Sequence, residues 1–241
     1  MNLSPDTWPR NIFVCIPAYQ SSASLVTLLP ELLEVVPAAQ VCVVDDGSTD
    51  TTGELCLGIG IRYLRHAENR GKGAALATGF AALLELGVGA IITMDADGQH
   101  AVDDLELFVE NFRTCPETGI CIGRRKIEKG SMPFSRIVSN TLTSRILTWM
   151  CGIPIPDSQC GYRLYSAKFL RSITITCARF AMESEMILKA ARRGFPIRSV
   201  PVQTLYFKGA SHISHATDTL RWIKAVFGIW LSLRKSGAKN P

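Results

Sequence analysis

The sequence predicts an α/β fold, a mostly parallel sheet flanked by helices. Three observations carry this. Strand-length apolar runs alternate with helix-period segments along nearly all of the 241 residues. Two of the runs end in acidic clusters, Asp45-Asp46 and Asp95-Ala96-Asp97, and in such sheets ligands bind beyond the carboxyl ends of strands. No linker, internal repeat or low-complexity stretch interrupts the rhythm. A hydrophobic fraction of 47% and a charged fraction of 20% exclude disorder.

The elements follow in order. Residues 11–17 (NIFVCIP) form an apolar run closed by Pro17, a buried strand and its exit. Leu25, Leu28, Leu29, Leu32, Leu33 and Val36 recur at helical spacing until Pro37. Residues 40–44 (QVCVV) are the second strand, and Thr49 or Asp50 can cap a short helix after it. Residues 59–64 are a third strand, 71–86 an Ala- and Leu-rich helix, and 89–94 (GAIITM) a fourth strand. Residues 102–112 read as helix, 119–122 as strand, 134–150 as a longer helix and 161–165 as strand. A helix over 181–193 stops at Gly194. A strand over 195–203 is weakened by two prolines, and the last helix spans 218–235. The expected organisation is a main domain over 10–210 and a basic amphipathic segment over 211–241.

The eight Cys contain no C-x-x-C pair, and Cys15, Cys42 and Cys121 sit in strand-like runs. They read as small apolar residues of a reduced compartment rather than as a disulfide framework or zinc site. The longest suspicious apolar run, 225–233, falls short of the roughly 20 residues that span a bilayer. Charge is uneven within a net +5. Residues 192–241 hold nine Lys/Arg against the single acid Asp218. This basic end points to an anionic partner. No nucleic-acid-binding module is recognisable, so nucleic acid is the poorest candidate.

Chemistry concentrates at the strand ends. Asp95 and Asp97 suit Mg²⁺ or Mn²⁺, which combine carboxylates with water and phosphate oxygens. Taken alone, D-x-D reads at least as readily as a turn that caps the next helix. Asp45 and Asp46 crowd two carboxylates together, which is costly without a donor or cation. Residues 69–73 (NRGKG) open a helix with a flexible backbone and two cations, a plausible phosphate neighbourhood but no Walker loop.

In this order and spacing, Pro17-Ala18-Tyr19, VDDGSTD (44–50), NRGKGAAL (69–76) and MDADGQH (94–100) resemble family 2 glycosyltransferases of the GT-A fold. DSQCGYRLY (157–165) and RFAMESEMILKAARRGF (179–195) resemble the polyprenyl-phosphate branch, the dolichyl-phosphate mannose synthase-like proteins. The resemblance runs from about Ile12 to about Trp222. It implies an inverting, metal-dependent transferase moving a sugar from a UDP- or GDP-sugar to a polyprenyl phosphate. Asp45 and Asp46 would hold the nucleoside, and Pro17, Ala18 and Tyr19 would line its base. Asp95, Ala96 and Asp97 would sit at the ribose, diphosphate and metal, with Asp95 and Asp97 as metal ligands. Gln99 would face the same pocket and Lys72 would assist. Asp97, Arg124, Arg136 and Asp157 are the expected catalytic residues, and Arg124, Arg136, Arg163 and Glu183 the acceptor site.

A phosphate acceptor is already an anion near neutrality and needs cations, whereas a hydroxyl acceptor needs a general base. Arg125 joins the arginine candidates, but reads better as a surface arginine with a buried stem. Glu183 and Glu185 lie two apart, so at most one faces inward. Trp222, Ile223, Val226, Phe227, Ile229, Trp230 and Leu233 make the last helix amphipathic. It suits docking on the body or, beside a lipid substrate, an interfacial helix. The expected location is cytoplasmic and peripheral at the inner face of the membrane, with a membrane-protein partner possible. Two departures stand out: PAYQSS where relatives read PAYNE, and Ser211-His212 where Ser is followed by Lys or Arg. The other readings are the same enzyme with a lipid or glycan hydroxyl acceptor, and a non-catalytic sugar-nucleotide-binding or signalling domain.

Overall fold

The computed structural model describes residues 3–125, 134–177, 181–205 and 215–235, with side chains except at 134–136, 215–221 and 235. The first half runs β1 (Ile12–Ala18), α1 (Ser22–Leu33), β2 (Val41–Asp45), α2 (Thr52–Cys56), β3 (Arg62–Arg65), α3 (Lys72–Leu84) and β4 (Ala90–Thr93). The second half runs α4 (Leu105–Thr114), β5 (Ile120–Arg125), α5 (Phe134–Cys151), β6 (Arg163–Ser166), α6 (Ala167–Arg171), α7 (Met182–Arg192), β7 (Ile197–Val202) and α8 (His215–Lys235). Every expected element is present, and α6 is additional. The third strand starts three residues later than its apolar pattern, because Gly58 and Gly60 turn the chain at φ 82° and 78° first.

One seven-stranded sheet carries the fold in the order β3-β2-β1-β4-β6-β5-β7. It is the expected GT-A-type, Rossmann-like α/β fold, mixed but mostly parallel. β1 and β2 are almost wholly buried, which explains their unbroken apolar runs rather than alternating ones. Helix α3 lies against both strands. It approaches so closely at Gly79 that a β-carbon there would stand 2.5 Å from Cys15 Sγ.

β6 is the exception in direction, antiparallel to both β4 and β5. Its first residue, Arg163, pairs with Thr93, the last of β4. The segment before β6 therefore meets the segment after β4 at one edge. Ala18, Asp45 and Arg65 are level there, and β5 brings Arg124 and Arg125 to the same side.

Helix α8 packs against α5 and α7. Val226 is fully buried, and the Trp222 indole N–H donates to Ser184 Oγ at 2.9 Å. The apolar face that suited a membrane interface is therefore partly spent on docking to the body: Val226 is buried and Trp222, Ile229, Trp230 and Leu233 pack against the core, while Phe227 stays exposed. Among the described residues, no helix is long and apolar enough to cross a membrane.

Candidate active site

The edge defined by β1, β2, β4 and the start of β6 gathers five of the sequence motifs. Lys72 is the link between them. Its ammonium lies 2.6 Å from Asp95 Oδ1 and 2.8 Å from Glu183 Oε1, so it ties NRGKG to MDADGQH and to α7. Burial pushes the Lys72 pKa down, but Asp95 and Glu183 outweigh it and hold it well above the usual lysine value. Burial likewise pushes Asp95 up, and Lys72 and His100 overcome it and hold the carboxylate ionised.

His100 stands on the other side of Asp95, its Nε2 3.5 Å from Oδ2. The imidazole is buried against Tyr162, with ring centroids 4.7 Å apart, and Nε2 has no hydrogen-bond partner. Asp97 is exposed, and its Oδ1 accepts the backbone N–H of Gln99 at 3.0 Å. Ser24 Oγ donates to the Ala96 carbonyl at 2.5 Å, fastening the turn to α1.

These residues fit a hard divalent cation. Asp95 and Asp97 offer carboxylate oxygens, and the orphaned Nε2 of buried His100 sits beside Asp95. Among the described residues no three His, Cys, Asp or Glu side chains form a closed cage. That suits Mg²⁺ or Mn²⁺, which keep several waters and take phosphate oxygens.

The acids of β2 behave otherwise. Asp45 is fully buried and accepts from Ser48 N–H at 2.8 Å and from the Tyr63 hydroxyl at 2.7 Å, with Arg65 3.4 Å away. Burial pushes its carboxyl up, yet these donors hold it below the usual carboxylate range. Asp46 Oδ1 lies 2.6 Å from His66 Nδ1 and accepts the Arg70 N–H at 3.0 Å, while Oδ2 accepts the Gly71 N–H at 2.7 Å. His66 Nε2 reaches Thr78 Oγ1 on α3 at 2.9 Å. The crowded carboxylates are stabilised by different donors, and their immediate work is to clasp the loops around the pocket. Pro17 and Ala18 are buried as the last residues of β1, and Tyr19 beyond them is 49% exposed.

Gln20, in the PAYQSS departure, has a structural role of its own. It is the one described non-glycine residue with positive φ, at 51°. Its Oε1 accepts the N–H groups of Thr49 and Asp50 at 3.0 and 3.1 Å, and its Nε2 donates to Thr49 Oγ1 at 2.9 Å. The loops after β1 and β2 are thereby fastened to each other.

Two expected site residues, Asp157 and Arg163, are placed as structural struts. Asp157 accepts from Arg125 N, Nε and Nη2 and from Asn140 Nδ2, at 2.8–3.2 Å, and is buried. Its carboxylate anchors β5 to α5 rather than facing a substrate, and Arg125 is correspondingly no surface arginine. Arg163 is 0% exposed. Its guanidinium donates to the carbonyls of Cys160, Ser158 and Glu183 at 2.6, 2.7 and 3.0 Å, which leaves it no open face toward an acceptor. Glu183 does face the site, through Lys72. Glu185 is buried, accepting from Thr176 and Cys177 N–H groups and from Lys189. Arg124 is exposed at the end of β5. The Arg136 side chain and Ser211-His212 lie outside the described residues.

His66, His100, Gly161, Ser24 and Gln20 were not singled out from the sequence. His66 and His100 lie between recognised motifs or at their ends, and the signal available was an imidazole beside a strand-end acid.

The fold, the clustered acids and the bridging lysine define a nucleotide-sugar-dependent transferase. The family model "Glycosyl transferase family 2" matches residues 13–174, and the chain belongs to that family. It is a glycosyltransferase using a nucleotide-sugar donor. It is 32% identical over 221 residues to the uncharacterized protein MJ1222 of Methanocaldococcus jannaschii, covering 90% of this chain and 89% of that protein. It is 32% identical over 202 residues to the undecaprenyl-phosphate mannosyltransferase of Micrococcus luteus, covering 79% and 82%. Glucosyl-3-phosphoglycerate synthase from Mycobacterium tuberculosis, solved with Mn²⁺, UDP and phosphoglyceric acid, superposes with a TM-score of 0.70 at 18% identity, covering 93% of this chain and 78% of that one.

The last similarity corrects the acceptor expectation. A scaffold matched across 93% of the chain serves an enzyme crystallised with phosphoglyceric acid, a small anion rather than a lipid phosphate. The finding runs against the polyprenyl-phosphate branch, the lipid acceptor, the membrane-surface partner and the peripheral-membrane location that the resemblance implied. Within DSQCGYRLY the residues build scaffold: Asp157 and Arg163 are struts, and Gly161 packs against Asp95.

Proposed function

We propose that this chain transfers a sugar from a UDP-sugar to a hydroxyl group of a small acceptor that also carries an anionic group. The observation that carries the donor half is the Lys72 bridge at 2.6 Å from Asp95 and 2.8 Å from Glu183, beside exposed Asp97. Support for the acceptor class comes from the phosphoglyceric acid bound by the enzyme that shares the fold.

In this reading Asp95 and Asp97 hold the divalent ion, which when bound offsets the charge growing on the departing nucleoside diphosphate. Lys72 supplies a cation on the phosphate side of the same pocket. The clasp built by Asp46 and His66 orients the NRGKG backbone, and Tyr19 with Pro17 and Ala18 borders the base. Asp45 holds the neighbouring Ser48 turn, and Gln99 continues the wall after Asp97. Arg124 and Arg136 serve the anionic end of the acceptor. The acceptor hydroxyl oxygen forms the new bond to the anomeric carbon, the carbon–oxygen bond to the diphosphate breaks, and the hydroxyl proton passes to a carboxylate facing the pocket, the role for which Glu183 is placed.

The test is a donor and acceptor screen read by mass. UDP- and GDP-sugars with Mn²⁺ or Mg²⁺ are offered to phosphoglyceric acid, to other phosphorylated hydroxy compounds and to a short polyprenyl phosphate. The expected product is a small phosphorylated acceptor heavier by one sugar, formed from a UDP-sugar. Transfer to the polyprenyl phosphate alone would overturn the reading.

A further inference from the structure

Lys72 and a divalent ion compete for the same carboxylate. The ammonium lies 2.6 Å from Asp95 Oδ1, and the imidazole of His100 stands 3.5 Å from Oδ2, so Asp95 is flanked on both oxygens. Gly161 packs against the same carboxylate, which stays 28% exposed. A β-carbon there would stand 2.5 Å from Asp95 Oδ2 and 2.8 Å from Lys72 Nζ. A dication on Asp95 beside that ammonium meets strong like-charge repulsion at such separations. Glu183 Oε1, 2.8 Å from Nζ on another element, offers the ammonium a second place to rest.

We propose that Lys72 is a built-in counter-ion that opposes metal binding at Asp95 until a nucleoside diphosphate draws it away, so that metal and donor bind interdependently. This inference rests on the assignment of Asp95 and Asp97 as metal ligands. The diphosphate supplies negative charge that Lys72 can share with Glu183, which relieves Asp95. Coupling of this kind is reciprocal, so the metal must strengthen nucleotide binding by the factor by which the nucleotide strengthens metal binding. Arg70, exposed two residues earlier in the same loop, is the control for a mere field effect.

The experiment titrates the purified chain with Mn²⁺, with and without UDP, and reads free Mn²⁺ by electron paramagnetic resonance. Native protein should bind Mn²⁺ weakly alone and more tightly with UDP. Lys72→Met should bind Mn²⁺ without UDP about tenfold more tightly, and UDP should then add less. Arg70→Met should leave the Mn²⁺ affinity measured without UDP as it was. Lys72→Gln, which keeps a polar tip for Glu183, decides the matter in the same way if the Met variant does not fold. Unchanged or weaker Mn²⁺ binding in the Lys72 variants, or an equal rise in Arg70→Met, overturns the proposal. Asp95→Asn separates the two levels of argument. If it retains native Mn²⁺ affinity, the metal assignment itself fails; if it loses that affinity while Lys72→Met is unchanged, only the counter-ion role fails.

Discussion

Gly161 lies so close to Asp95 that a β-carbon at 161 would stand 2.5 Å from Oδ2 and 2.7 Å from Oδ1. The contact joins the segment before β6 to the segment after β4, and it exists because those strands run antiparallel. A methyl group at this point must displace either the carboxylate or the Lys72 ammonium 2.8 Å away.

Gly161→Ala is therefore expected to damage catalysis more than stability. A displacement of about 1 Å at a reacting centre costs on the order of 10²-fold in rate. Steady-state kinetics with a UDP-sugar should show a loss of about that size in kcat/KM. Native kinetics in this variant would show that the Asp95–Lys72 arrangement is not the working one.

Asp97 is exposed and its carboxylate accepts a local N–H from Gln99, so the fold does not depend on it. Asp97→Ala should melt at the native temperature and lose at least about a hundredfold in turnover. Chelation of the native chain should abolish turnover, and Mn²⁺ or Mg²⁺ should restore it. Full activity in Asp97→Ala would remove this residue from the metal site.

His66 lies 2.6 Å from Asp46, which holds the backbone of Arg70 and Gly71 just ahead of Lys72. His66→Ala should loosen that loop. A loss of about 1–2 kcal/mol at the donor site corresponds to a rise of roughly 5–30-fold in donor KM. The acceptor KM should stay at its native value, and an equal rise in both would indicate general loosening instead.

Much of this was legible in the sequence, and the reasons differ by residue. Period and punctuation placed the strands, because β1 and β2 are buried on both faces and read as continuous apolar runs. The edge carrying Asp95, Lys72 and Tyr19 followed from the rule that ligands bind beyond strand ends. Direction was not legible: nothing in residues 161–165 distinguishes an antiparallel strand from a parallel one. Nor was the fate of Asp157 or Arg163, since a buried ion pair and a substrate-facing one use the same letters. What separates them is the partner, and Arg125 and Asn140 reach Asp157 from sequence separations of 32 and 17 residues. The amphipathic pattern of 222–233 was visible, but docking on α5 and α7 and docking on a membrane leave the same pattern.

Helix α8 is expected to be integral to the body. Val226 is buried where α8 meets α5 and α7, so Val226→Asp places a charge without a partner in an apolar contact. A loss of more than about 3 kcal/mol is expected, which for a chain of this size lowers Tm by roughly 6–12 °C. An unchanged melting curve would mean that the helix is an appendage whose burial contributes nothing.

The Asp157–Arg125 pair gives the clearest pH dependence. Burial pushes the Asp157 pKa up, but Arg125 and Asn140 more than reverse this and hold it below the ordinary carboxylate value of about 4. A carboxyl depressed by folding stabilises the native state fully above its unfolded pKa. The contribution fades as pH falls through the folded one, because the unfolded chain takes up the proton first. Both side chains are largely buried, at 14% and 4% exposure. Removing the charge of one partner from such a pair therefore costs about 3–5 kcal/mol. Asp157→Asn should thus be less stable than the native chain by about that amount between pH 5 and 8, as read by urea denaturation. The gap should shrink as pH is lowered below about 4, since only the native carboxylate has anything to lose there. A gap that stays constant down to pH 2 would mean that the charge on Asp157 adds nothing to the network, and that its hydrogen bonds to Arg125 and Asn140 do the anchoring alone.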